Sequence, residues 1–230
     1  LDKPPAWVEA YRAMGLFRSK NETYAEATIV ADVERGLVAR YLARILERGD
    51  LPLRGLLGVL YWMNERRELM SFTVSDELSE LLRLFYSSGL PYAELDRLYR
   101  RDREGLIGSL RRAAEATPRP EPLAGNIELL TRELGVPAVA LKIVGLIACY
   151  TRYDQVRYLC DALANHAGPL GRPIAMLVGE PARTVEGLIS PSGELAACGL
   201  LQIREDSDQI AGGGGRFNIP WRVDACLDQS

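Results

Sequence analysis

The sequence holds one histidine, His166, and four cysteines, none of them in a Cys-x-x-Cys pair. A single histidine excludes every site built on two or more, and beside Asn165 and Gly168 it reads as a helix-end residue rather than a base. Cys149, Cys160, Cys198 and Cys226 lack the spacing of zinc ligands and are predicted to be buried free thiols. No uninterrupted apolar run approaches the about 18 residues of a membrane-spanning helix. The opening Leu1-Asp2-Lys3-Pro4-Pro5 lacks the basic-then-apolar order of a signal peptide, so a cytoplasmic chain without membrane contact is expected. Also missing are Gly-x-Ser-x-Gly, His-Glu-x-x-His, and any Gly-Lys-Ser/Thr behind a glycine-rich loop. By itself the chain is therefore expected to be no enzyme and to hold no cofactor or metal. Beginning at Leu1 rather than Met, it reads as a portion of something longer.

What is present is enough for real cores: 230 residues, 47% of them apolar, with a net charge of −3. Thr117-Pro-Arg-Pro-Glu-Pro-Leu-Ala-Gly125 carries three prolines, which cannot continue a helix, and separates a region 1–116 from a region 126–230. Upstream, Val30, Val33, Leu37, Tyr41 and Ile45 recur at steps of three and four. They predict a long amphipathic helix from Tyr24 to Glu47, with Glu34, Arg40, Arg44 and Glu47 outside the apolar stripe. Further helices are predicted over Leu53–Asn64, Asp76–Tyr86 and Tyr92–Ala116, the second capped by Ser75 or Asp76. Region 1–116 thus reads as a helical bundle.

Downstream, helices are predicted from Ile127 to Leu134, from Pro137 to near Tyr150, and from Gln155 to Ala164. Ile174, Ala175, Leu177 and Val178 then mark a short helix, Gly179-Glu180-Pro181 a turn, and Val185, Leu188 and Ile189 the buried stripe of a second helix. Gly199-Leu-Leu-Gln-Ile203 is expected to open a strand that Arg216-Phe-Asn-Ile219 pairs with in antiparallel fashion, and Gly212 to Gly215 form the tip between them. The fold class expected is mainly α: a helical bundle, then a winged helix-turn-helix with a small β-hairpin wing.

Charge decides between partners. Residues 126–230 carry nine Lys/Arg against twelve Asp/Glu, and the wing holds Glu205, Asp206 and Asp208 beside only Arg204 and Arg216. An acidic wing repels phosphates, so DNA is the disfavoured partner, with Arg183, Thr184, Arg204 and Arg216 as its candidate contacts. A basic stripe of Arg97, Arg100, Arg101, Arg103, Arg111 and Arg112 lies on the long helix from Tyr92. Interleaved Asp96, Asp102 and Glu104 make it a salt-bridged exposed face, with docking of an acidic protein partner as the functional alternative. Acidic pairs such as Glu205-Asp206, or Glu186 with Glu194, are expected to be solvated surface rather than an acid and a base. Trp7 and Trp221 serve either as core anchors or as partner contacts.

Glu133-Leu-Gly-Val136, Ile174-Ala-Met-Leu-Val-Gly179, Val185-Glu-Gly-Leu-Ile-Ser-Pro-Ser-Gly-Glu-Leu195 and Cys198-Gly-Leu-Leu201 together give the downstream half a family likeness. It resembles the amino-terminal winged-helix region that precedes the ATPase core in a group of bacterial AAA+ family ATPases, over about residues 126–225. The resemblance implies a non-catalytic recognition or regulatory role, binding protein partners or substrates. ATP and Mg²⁺, and assembly into oligomers, would then belong to a downstream motor domain. The alternative is a DNA-binding winged-helix regulator.

Overall fold

A computed structural model describes residues 32–88, 92–117, 123–164, 171–203 and 217–218. The described chain is mainly helical. In order it forms α1 (Asp32–Arg48), α2 (Leu53–Glu65), α3 (Arg67–Met70), α4 (Asp76–Ser88), α5 (Tyr92–Glu115) and α6 (Leu123–Leu134). There follow α7 (Ala138–Arg152), α8 (Asp154–Ala164), α9 (Gly171–Val178), α10 (Ala182–Ile189) and α11 (Glu194–Ala197), then β1 (Gln202–Ile203) and β2 (Phe217–Asn218).

The organising element is α1, which packs along α5 and also against α8 and α9. Leu42, Ile45 and Leu46 of α1 and Leu95 and Leu110 of α5 are each at most 1% exposed. Close approach is possible where α1 carries Gly36: a Cβ there would lie 2.3 Å from Cβ of Thr117, just past the end of α5. One continuous buried cluster runs from α1 and α2 through Ile143 and Leu159 to Val185, Leu195 and Leu201. Helices from both sides of the proline-rich segment therefore share a core.

Central placement explains where α1 departs from its sequence pattern. Glu34, expected outside the apolar stripe, is only 8% exposed, because α8 covers the side of α1 that a two-layer packing would have left wet. At the next helix, Ser75 rather than Asp76 is the cap, its Oγ accepting the Leu78 amide at 3.3 Å. The helix after the prolines begins at Leu123, four residues before the apolar pattern predicts it.

Two short helices have no periodic signal. Helix α3 is a single turn closed by Ser71 in a left-handed conformation (φ 56°), with the Phe72 amide donating to Arg67 O. The turn that closes α11 takes residues expected in the first strand. The Leu200 and Leu201 amides fold back onto Leu195 O at 2.9 and 3.1 Å, so Gly199-Leu200-Leu201 closes a helix rather than opening a sheet. Strand β1 is left with two residues, pairing antiparallel with β2 as Gln202↔Asn218 and Ile203↔Phe217. The expected tip, with Arg204, Arg216 and Gly212 to Gly215, lies outside the described residues, as do His166, Cys226, Trp7 and Trp221. Among the described residues no helix is long and apolar enough to cross a membrane.

Candidate functional site

The two short helices predicted on either side of Gly179 are present as α9 and α10. Helix α9 is apolar nearly all round and buried from Pro173 to Val178. Gly179 ends it at φ +76°, a conformation that costs a side chain but not glycine, and both Gly179 and Glu180 amides return to Ala175 O at 3.0 Å. Pro181 precedes α10, where its missing N–H costs nothing, and its carbonyl accepts the Thr184 and Val185 amides. Val185, Leu188 and Ile189 face the core, while Arg183, Thr184, Glu186 and Gly187 are exposed.

That turn is fastened to α1 by side chains reaching across more than a hundred residues of sequence. Arg44 Nη1 donates to Leu177 O at 3.1 Å, and Arg48 Nη1 donates to Ala175 O at 3.1 Å and to Glu180 O at 2.8 Å. These carbonyls sit at the C-terminal end of α9, where a helix carries unpaired acceptors and partial negative charge, so two guanidinium groups suit it on both counts. Asp50 holds Arg48 from the far side at 3.1 Å. From α7, Lys142 forms an ion pair with the side chain of Glu180. The same device recurs elsewhere: Arg103 of α5 donates to Leu46 O and Glu47 O and closes the end of α1.

A second polar junction ties α1 to α8. Glu34 Oε1 accepts the Gln155 amide at the first turn of α8, so an acid on one helix caps the N-terminus of another. Burial raises the Glu34 pKa above 4.5, with the Gln155 amide opposing. Gln155 Oε1 in turn accepts from Arg66 Nε at 3.2 Å, and the Arg66 guanidinium lies 4.8 Å from the Trp62 ring and 5.7 Å from the Tyr158 ring. Cys149 is buried and free, and burial pushes its thiol up to about 11; Cys160 is half-buried and its thiol is raised by the same cause. Neither is a nucleophile at neutral pH. Cys198, expected buried, is exposed because it follows α11 on the surface turn.

Between α1, α6 and α7 opens a cleft of about 270 Å³ whose lining includes Arg40, Arg44 and Lys142. None of the three stands out in the sequence as a binding residue. The available signal was Arg40 and Arg44 at i and i+4 on a helix whose other positions are mostly apolar.

The arginine stripe expected on the long helix is on the surface of α5 and is paired. Arg97 joins Glu94 at 2.6 Å, Arg100 joins Asp96 at 2.8 Å, Arg101 joins both Glu77 and Asp102 at 2.7 Å, and Arg111 reaches Glu47 at 2.6 Å. Arg112 is exposed beside them. Of the four DNA-contact candidates, Arg183 and Thr184 share the outer face of α10, and Arg204 and Arg216 lie outside the described residues. Glu186 and Glu194 are exposed. Comparison with protein-family models, with curated proteins and with solved structures yields no match.

Proposed function

We propose that this chain is a non-catalytic recognition or regulatory region of an AAA+ ATPase, with α9, α10 and the β1–β2 pair forming a winged-helix unit that binds protein partners or substrates. The observation that carries the reading is the fastening of the α9–α10 turn. Arg44, Arg48 and Lys142 hold the turn through Leu177 O, through Ala175 O and Glu180 O, and through the Glu180 side chain respectively. Helix α10 then presents a mixed face, Arg183 and Thr184 beside Glu186, from a rigid mount. Such a face suits a protein surface, which offers both signs, better than a duplex, which offers one.

The test is a photo-crosslinking side chain placed at position 183 of the full-length protein in its native host. A discrete adduct destroyed by protease and unaffected by nuclease supports the reading; a nuclease-sensitive adduct overturns it. The motor itself is tested by the gene downstream of Ser230: a glycine-rich phosphate loop ending in Gly-Lys-Ser/Thr is expected there, and an in-frame stop codon contradicts it. The second reading, a DNA-binding regulator, rests on the exposure of Arg183 and Thr184. It requires that Arg183→Ala weaken sequence-dependent duplex binding, by about 1–3 kcal/mol if the side chain reads a guanine edge.

A further inference from the structure

We propose that the cleft between α1, α6 and α7 is a binding site for a small apolar monocarboxylate, its carboxylate held by Arg40 and Arg44 and its tail lying against Leu37, Ile127 and Leu141. The cleft's composition supports both halves of that ligand. Arg40 and Arg44 stand one helical turn apart on the same face of α1, a like-charge arrangement that the Glu47 and Glu180 charges offset at Arg44 only in part. Among the described residues Arg40 has no ion-pair partner. Arg44 uses one nitrogen on Leu177 O and keeps its other donors. Burial holds the Arg44 guanidinium below its ordinary range, and the Arg40 charge adds to this. An incoming carboxylate offsets both effects, and charge-assisted bonds to guanidinium are the stronger class of hydrogen bond.

The walls narrow the choice of anion. Leu37, Ile127 and Leu141 give the lining hydrocarbon beside the charged side chains of Arg40, Arg44 and Lys142. Glu128 also lines the cleft, and its charge opposes a multiply charged phosphoryl group more than a monoanion. A nucleotide would need an aromatic platform, but Tyr41 is 6% exposed, with the Arg44 guanidinium 6.0 Å from its ring centroid. A cleft of about 270 Å³ suits a small ligand such as a short-chain acid. Because Arg44 and Lys142 also reach the α9–α10 turn, occupancy of the cleft bears on the mount of α10.

Hexanoate is the probe, titrated calorimetrically into the whole chain beside hexanol and inorganic phosphate, with amide shifts of Lys142 and Gly145 followed by NMR. The expected result is saturable one-site binding of hexanoate that shifts both amides, with hexanol and phosphate each at least tenfold weaker. Arg40→Gln, which breaks no described contact, is expected to weaken hexanoate by about tenfold to hundredfold while leaving the melting temperature unchanged. No binding, equal binding of hexanol, equal binding of phosphate, or hexanoate binding that leaves the Gly145 amide unmoved would each overturn the proposal. The wild-type shifts decide even if Arg40→Gln fails to fold.

Discussion

Helices α1 and α5 lie against each other and both are rich in arginine, yet Arg97, Arg100 and Arg101 of α5 do different work from Arg44 and Arg48 of α1. On α5, Arg97, Arg100 and Arg101 pair with carboxylates in open solvent, their side chains 66%, 75% and 50% exposed. There water already solvates both partners, and the pair adds little. On α1, Arg44 and Arg48 leave the surface and donate to backbone carbonyls of a helix 127 or more positions away. Ala175 O already holds the Gly179 and Glu180 amides, so it is chiefly at Leu177 O and Glu180 O that the guanidinium groups supply the donor, and the same side chain becomes a tertiary fastener. An arginine's contribution here is set by whether its acceptor has an alternative, not by how many charges surround it.

The largest expected effect tests the shared core on which this contrast stands. Leu42→Ala, at a site with no exposure in the middle of α1, is expected to cost about 2–5 kcal/mol and to lower the melting of both halves together. Two transitions reported by probes in α5 and α10 would separate what we describe as one body. Next come the polar junctions. Glu34→Ala strips the α8 N-terminus of its cap and is expected to cost about 1–3 kcal/mol, whereas Glu34→Gln keeps an acceptor and loses less. Arg48→Ala, which takes the guanidinium donor from Glu180 O and one of three donors from Ala175 O, is expected to cost about 1–3 kcal/mol.

Glu34 also fixes a pH dependence. Its folded pKa is raised by burial, so its contribution is fully present below the unfolded value near 4.5 and is lost as pH rises through the folded value. Urea melts of wild type against Glu34→Gln across that window should show the wild type losing ground as pH climbs. Glu94 and Asp102 have the opposite sign. Arg97 and Arg101 respectively hold them below the ordinary carboxylate range, so their contribution fades as pH falls. The smallest effect is on the surface: Arg97→Ala is expected to leave the melting temperature unchanged, and its loss of stability in high salt should equal that of wild type.

The sequence carried most of the helices because their stripes repeat. Leu37, Tyr41 and Ile45 are buried at the positions that periodicity assigns them, and so are Val185, Leu188 and Ile189. It carried the turn between α9 and α10 because Gly179 and Pro181 are local punctuation. Helix α11 escaped notice because four residues are too short for a stripe, and its closing turn because Gly199-Leu-Leu-Gln-Ile203 also fits a strand, where only the Leu195 carbonyl decides. Glu34 read as solvated because local pattern cannot show a third helix closing over the wet side of a second. The fastening by Arg44 and Arg48 and the cleft beside Arg40 depend on which helix ends meet in space, information that no window of the sequence contains. The α5 arginines were legible for the converse reason: their partners lie mostly within four residues on the same helix.

Native-state hydrogen exchange on α1 and α9, in wild type and in Arg48→Ala, tests most directly whether the α9–α10 unit is mounted on the upstream bundle. Wild-type amides of Ala175 to Val178 are expected to open with the same free energy as those of Val38 to Ile45, and Arg48→Ala is expected to lower protection in α9 first. Wild-type α9 amides that exchange far faster than those of α1, with no further change in Arg48→Ala, would contradict the account.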